Sequence, residues 1–170
     1  VILSASCGIE FEKIIPYQPL IREALRLAKH QPKALIIKSR KEMPVPDLRS
    51  TELDWDLWES DSVPVDCVAL PASHPLYILY TSGTTGKPKG IVRDNGGHAV
   101  ALKYSMKAVY DVQEGDVFWA ASDVGWVVGH SYIVYGPLLA GCTTVLYEGK
   151  PVKTPDAGAF WRVISQHSVK

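Results

Sequence analysis

Apolar residues fall in short blocks separated by helical stretches. Val1 to Ser6, Lys33-Ala34-Leu35-Ile36-Ile37, Leu76 to Tyr80, Val117 to Ala121 and Thr143 to Tyr147 are runs of four to six mostly apolar or β-branched residues, and each reads as a strand. Between them the period lengthens. Pro19 suits a first helical turn, and Leu20 to His30 carries Ile21, Ala24, Leu25 and Ala28 on one face with Arg22, Glu23, Arg26 and Lys29 opposite. His98 to Tyr110 repeats the pattern with Leu102, Met106 and Val109, after a break expected at Asn95-Gly96-Gly97. Ser131 to Ala140 reads as a helix disturbed near Gly136-Pro137. A last helix is expected with Thr154 as N-cap, Pro155 at its first position and Phe160, Val163, Ile164 and His167 on its packing face. Strands alternating with helices predict an α/β fold, a layered sheet flanked by helices.

Residues 39–75 break the alternation. Five prolines, several acidic residues and the pair Trp55 and Trp58 predict a long connection holding one helical turn.

Composition narrows the class. The chain has 170 residues, 46% apolar and 21% charged, with zero formal net charge, which fits a folded domain with a real core. Lysines and arginines are dispersed, so no electrostatic footprint for nucleic acid is present. The most apolar region, Val117 to Leu146, is interrupted by Asp123, His130, Pro137 and glycines, and a membrane span is not expected. Cys7, Cys67 and Cys142 are too few and too far apart for a disulfide framework or a metal site. The expected partners are small molecules.

The chemistry concentrates in Thr81-Ser82-Gly83-Thr84-Thr85-Gly86-Lys87-Pro88-Lys89-Gly90, directly after the strand at Leu76 to Tyr80. Three glycines let backbone N–H groups approach an oxyanion closely, and four hydroxyls and two lysines add donors and charge. A P-loop would place four residues between its glycines and a hydroxyl after its lysine. Here only Thr84 and Thr85 separate Gly83 from Gly86, and Pro88 follows Lys87. Ile91-Val92-Arg93 then reads as a returning strand, so a hairpin should clasp a loop that holds phosphate without the Walker cradle.

A second candidate is Asp123-Val124-Gly125-Trp126-Val127-Val128-Gly129-His130-Ser131-Tyr132, at the carboxyl end of a buried strand, where ligands bind in open α/β sheets.

Tyr80 to Gly90 resembles the phosphate-binding signature of the adenylate-forming superfamily. Asp123 to Tyr132 resembles the second signature of the short-chain acyl-CoA synthetases, and the chain is similar to their propionyl/acetyl branch almost end to end. The resemblance implies activation of a short carboxylate by ATP as an acyl-adenylate, release of pyrophosphate and transfer to coenzyme A. It implies triphosphate contacts at Thr81, Ser82, Gly83, Thr84, Thr85, Gly86, Lys87 and Lys89, and an acyl and pantetheine wall at Trp126, Val127 and Val128, with His130 either lining it or packed as structure. Core packing is the other reading of that wall.

Acetate-selective relatives carry threonine where Val128 stands, so the added apolar surface favours one more methylene by about 1–3 kcal/mol, which implies propionate. Glu10, Phe11, Glu12 and Lys13 align with the place that meets the nucleotide end of coenzyme A, where a Gly-Arg pair is usual; a solvated charged turn is the alternative. Mg²⁺ would bridge the phosphates, with its acidic ligand, the catalytic lysine and the C-terminal domain expected after Lys170. The chain is expected to be an excised piece of the large N-terminal adenylating domain, inactive alone, and a mitochondrial matrix location follows from similar proteins. A non-catalytic phosphate-binding module and an acetoacetyl or medium-chain ligase are the competing readings.

Overall fold

The computed structural model describes residues 1–45, 47–83, 86–150 and 154–170. They divide into two compact units, Val1–Asp66 and Cys67–Lys170.

In the first unit, β1 (Ile2–Ala5) is followed by the hairpin of β2 (Cys7–Glu10) and β3 (Lys13–Pro16), then by α1 (Gln18–Leu27), β4 (Leu35–Lys38), β5 (Glu52–Asp54) and α2 (Trp55–Ser60). β1, β4 and β5 form a parallel sheet in the order β1-β4-β5. α1 is the crossover that a parallel β1-β4 pair requires. Pro19 sits in its first turn. Gln31 Nε2 donates to the Leu25 and Ala28 carbonyls at 2.8 and 3.3 Å, satisfying acceptors that a helix end leaves open. Leu35, Ile36, Ile37 and Cys7 make the buried centre. Beside them Glu52, 5% exposed, accepts two bonds from Arg22 at 2.8 and 2.7 Å and one from the Arg49 N–H at 3.1 Å. Within 39–75 the structure places β5 and α2, and the tryptophans form the expected helical turn. Leu57 is 70% exposed, however, so that turn does not fill a core with it.

In the second unit, β6 (Pro75–Thr81) and β7 (Lys89–Asp94) pair antiparallel and lead into α3 (Asn95–Ala108). β8 (Val117–Phe118) pairs in parallel with β9 (Thr143–Thr144). Between these two runs α4 (Val127–Gly129), a π-helical turn (His130–Tyr135) and α5 (Gly136–Leu139), and α6 (Ala159–His167) ends the chain. Met106, Val112, Phe118 and Cys142 form the core, with Ala120, Tyr132 and Ala140 against it. No helix among the described residues is long and apolar enough to cross a membrane.

Three expectations change here. Asn95-Gly96-Gly97 is the first turn of α3, not a break: Asp94 caps it by accepting from the Gly97 N–H at 3.1 Å, and the Gly96 N–H donates to the Ala72 carbonyl at 2.7 Å. A Cβ on Gly96 would meet the Ala72 Cβ at 2.5 Å, so glycine serves close approach there. The helix disturbance at Gly136-Pro137 takes the form of the π-turn. Pro137 has no N–H to offer the Ile133 carbonyl four residues earlier, and that carbonyl accepts instead from Thr144 Oγ1 at 2.7 Å. The last helix begins at Ala159, with Gly158 and not Thr154 at its cap. The Thr154 hydroxyl accepts from the Lys150 N–H at 2.9 Å, and Asp156 is committed to the Gly158 N–H at 2.7 Å and to Arg162 at 3.0 and 2.8 Å.

Candidate functional site

The glycine-rich loop hangs from the end of the β6-β7 ribbon, whose register runs from Pro75 opposite Asp94 to Thr81 opposite Lys89. Side chains alternate along β6: Tyr77, Leu79 and Thr81 are half-buried, and Leu76, Ile78 and Tyr80 are exposed. Gly83 and Gly86 adopt φ of 62° and 76°, in the left-handed region that favours glycine. The Gly83 carbonyl accepts from the Gly86 N–H at 3.4 Å. A Cβ on Gly83 would lie 2.6 Å from the Lys87 carbonyl, whereas one on Gly86 would meet nothing within 4 Å. The turn is thus tight at its first glycine and open at its second.

Ser82, Lys87 and Lys89 are exposed, and neither lysine forms an ion pair with a described residue. Two uncompensated ammonium groups with hydroxyls and backbone N–H groups make a region that an anion relieves. Thr84 and Thr85, named in the same set, lie outside the described residues.

The second candidate segment belongs to the same unit. Asp123 Oδ1 accepts from the Gly125 N–H at 2.8 Å and its carbonyl from the Trp126 N–H at 3.1 Å, closing a turn in front of α4. Gly129 is buried beneath it, and a Cβ there would collide with the Asp123 carbonyl oxygen and the Val124 Cα. The turn therefore presents Trp126 and Val128 outward, 64% and 51% exposed, with Val127 half-buried. Behind Trp126 lies a cavity of about 180 Å³ lined by Trp119, Ser122, Asp123, Tyr147, Lys150 and Phe160. Lys150 stands 4.0 Å from Asp123 at its part-exposed side.

An aromatic cluster joins the two segments. Tyr77 of β6 stacks on Tyr135 at 5.7 Å and leans on His130 at 5.4 Å. His98 packs edge-on against Tyr77 and Tyr135, both at 5.6 Å. His98 is 8% exposed, a core position. Burial, with the nearby Arg93 charge, lowers its pKa. Its spacing from Leu102 and Met106, two steps of four, was the sequence signal for a core position. Tyr77, Tyr135 and Lys150 were not named as site residues; an isolated tyrosine or lysine leaves no periodic trace.

In the other unit, Glu10 and Lys13 face each other across the β2-β3 hairpin, and Phe11 turns it with φ of 55° and 48% exposure. Glu10, Phe11, Glu12 and Lys13 are all exposed.

The family model described as AMP-binding enzyme matches residues 14–170. The chain belongs to that family. Among curated relatives, the mitochondrial acyl-CoA synthetase short-chain family member 3 of Rattus norvegicus is 55% identical over 99% of the chain, which covers 25% of that protein. Propionate–CoA ligase of Salmonella typhimurium is 45% identical over 99% of the chain, covering 27% of the ligase. The solved acetoacetyl-CoA synthetase from Streptomyces lividans superposes with a TM-score of 0.80 at 28% identity, over 98% of this chain and 25% of that one. The AMP-binding chain spans about a quarter of the length of the curated relatives it matches.

Proposed function

We propose that this chain supplies the triphosphate-holding loop and part of the acyl wall of an ATP-dependent, AMP-forming short-chain acyl-CoA ligase acting on propionate, with acetate accepted. The observation that carries this reading is the loop itself: two glycines at positive φ and two exposed lysines that pair with no described acidic residue, on an antiparallel ribbon. The names of the relatives, one mitochondrial and one a propionate–CoA ligase, support a short acyl group and a mitochondrial location.

In this reading Thr81, Ser82, Thr84 and Thr85 donate to phosphate oxygens, and Gly83 and Gly86 expose backbone N–H groups to them. Lys87 and Lys89 neutralise charge that accumulates on the departing pyrophosphate. The open side of Gly86 and the unopposed lysines fit a polyanion. Trp126, Val127 and Val128 form the acyl and pantetheine wall, set on the turn that Asp123 and Gly129 close. Phe11 and Lys13 offer a stacking face and a point charge to the nucleotide end of coenzyme A, with Glu10 and Glu12 weakening that charge. ATP would supply the adenylyl group that activates the carboxylate, with pyrophosphate as the leaving group. Among the described residues no group of three or more His, Cys, Asp or Glu could hold a metal ion.

The test is propionate-dependent ATP–pyrophosphate exchange in the protein at the length of its relatives. Lys87→Ala with Lys89→Ala should reduce exchange by about 10²-fold or more, the scale of losing preorganised charge at a transition state. An unchanged rate would sink the reading.

A further inference from the structure

The acyl wall is only as well placed as the Trp126 backbone, and one side chain reaches across to that backbone from the next helical turn. His130 donates to the Trp126 carbonyl twice, from its backbone N–H at 2.9 Å and from its ring Nδ1 at 3.0 Å. A carbonyl oxygen only accepts, so Nδ1 carries the proton and the ring tautomer is assigned. The same ring leans on Tyr77 at 5.4 Å, four residues before Thr81 on the strand that carries the glycine-rich loop. Tyr77 is itself fixed by stacking on Tyr135 and by His98, whose Nε2 lies 3.4 Å from the Tyr77 hydroxyl. The π-turn begins at His130, and such turns recur where a helix is re-aimed at a functional site.

We propose that His130 is a positioning residue that holds Trp126 at a set distance from the phosphate loop, and so sets the room left for the acyl group. This rests on the reading of Trp126 to Val128 as the acyl wall. His130 itself is half-buried and satisfied through Trp126, and contributes by holding the wall, not by lining it. The inserted ring prevents β6 and the start of α4 from closing on each other, while the Nδ1 bond prevents the Trp126 turn from swinging outward.

Two substitutions separate the bond from the bulk. His130→Phe keeps a ring against Tyr77 and removes the donor. His130→Asn places an amide N–H near the position of Nδ1 and removes most of the ring. The readouts are the Trp126 indole N–H resonance, assigned through Trp126→Phe, and the separate KM values for carboxylate and ATP in the full-length protein.

His130→Phe should displace the Trp126 resonance and raise the carboxylate KM about tenfold, the worth of one hydrogen bond, with the ATP KM within about twofold. His130→Asn should return the resonance toward the wild-type position and recover most of the KM. An unmoved resonance in His130→Phe, equal effects of the two variants, or equal rises in both KM values would overturn the proposal. If His130→Phe does not fold, Tyr77→Leu removes the support under the same ring and should displace the same resonance; an unmoved resonance there overturns it equally. If the resonance responds as expected while even the wild-type protein lacks carboxylate-dependent exchange, the ligase reading fails and the hold of His130 on Trp126 stands.

Discussion

Replacing Thr144 by valine tests the account of the π-turn directly. Pro137 withholds an N–H from the Ile133 carbonyl, and Thr144 Oγ1 donates to it at 2.7 Å. Ile133 is 3% exposed, so water cannot readily take over as donor. Valine matches threonine in shape and suits a strand at least as well, so propensity predicts no loss. The hydrogen bond predicts otherwise. A buried acceptor that loses its partner costs about 1–3 kcal/mol, and a methyl group cannot sit where the hydroxyl oxygen sits, which forces β9 and the π-turn apart. For a chain of this size that corresponds to a fall in Tm of roughly 2–4 °C for each kcal/mol. Urea unfolding would be followed for wild type, Thr144→Val and Thr143→Val, the last an exposed strand position that makes the same chemical change. If Thr144→Val falls within about 0.5 kcal/mol of Thr143→Val, the spread typical of surface substitutions, the reasoning is wrong.

Two further outcomes follow from local geometry. The Arg22 guanidinium beside Glu52 holds its carboxyl below the ordinary range. A depressed folded pKa means that the stabilisation is present above the unfolded value of about 4.3 and is lost as pH falls through the folded value. With Arg22 partly exposed, 29% by side chain, Glu52→Gln should cost about 1–3 kcal/mol at pH 7, and the difference should narrow progressively as pH falls below about 4.3. Parallel stability curves from pH 7 to 3 would contradict this. Gly129→Ala sets a Cβ against the Asp123 carbonyl and Val124 Cα, backbone atoms that cannot turn aside. It should cost about 1–3 kcal/mol as overpacking does and shift Trp126 fluorescence; wild-type stability with unchanged emission would show that the turn does not rest on that glycine.

The hairpin around the loop was legible because its signal is local: β-prone runs on both sides of a glycine-rich turn admit few other pairings. α1 was legible for the same reason, its period and Pro19 lying within one turn of each other. What failed was cap chemistry that depends on distant partners. Thr154-Pro155-Asp156 has the composition of a helix start, but each side chain there is committed to something else, Thr154 to Lys150 and Asp156 to Arg162. Asn95-Gly96-Gly97 read as a break because glycine disfavours helix, and the Ala72 backbone that makes glycine necessary lies outside any local window. The candidate site was proposed from residue types in the loop, which are local. The contacts that aim it, Tyr77 on His130 and His98 within the ring cluster, join residues tens of positions apart and appear only once β6 and the π-turn are packed.

The distribution of restraints along the ribbon bears on how such a loop works. At its base the chain is fixed three ways: the Asn95 N–H donates to the His74 carbonyl at 2.9 Å and the Gly96 N–H to Ala72, Asp94 caps α3, and Tyr77 is enclosed by three rings. Toward the tip, among the described residues, little beyond the strand ladder and the Gly83 to Gly86 bond remains. The base thereby fixes where the loop starts and at what angle to Trp126, while Lys87 and Lys89 make no ion pair with a described residue. On the proposed function, a loop that closes on a polyanion and releases part of it as a leaving group would gain from that asymmetry: rigid support preserves orientation, and unpaired lysines lose no internal partner when they engage.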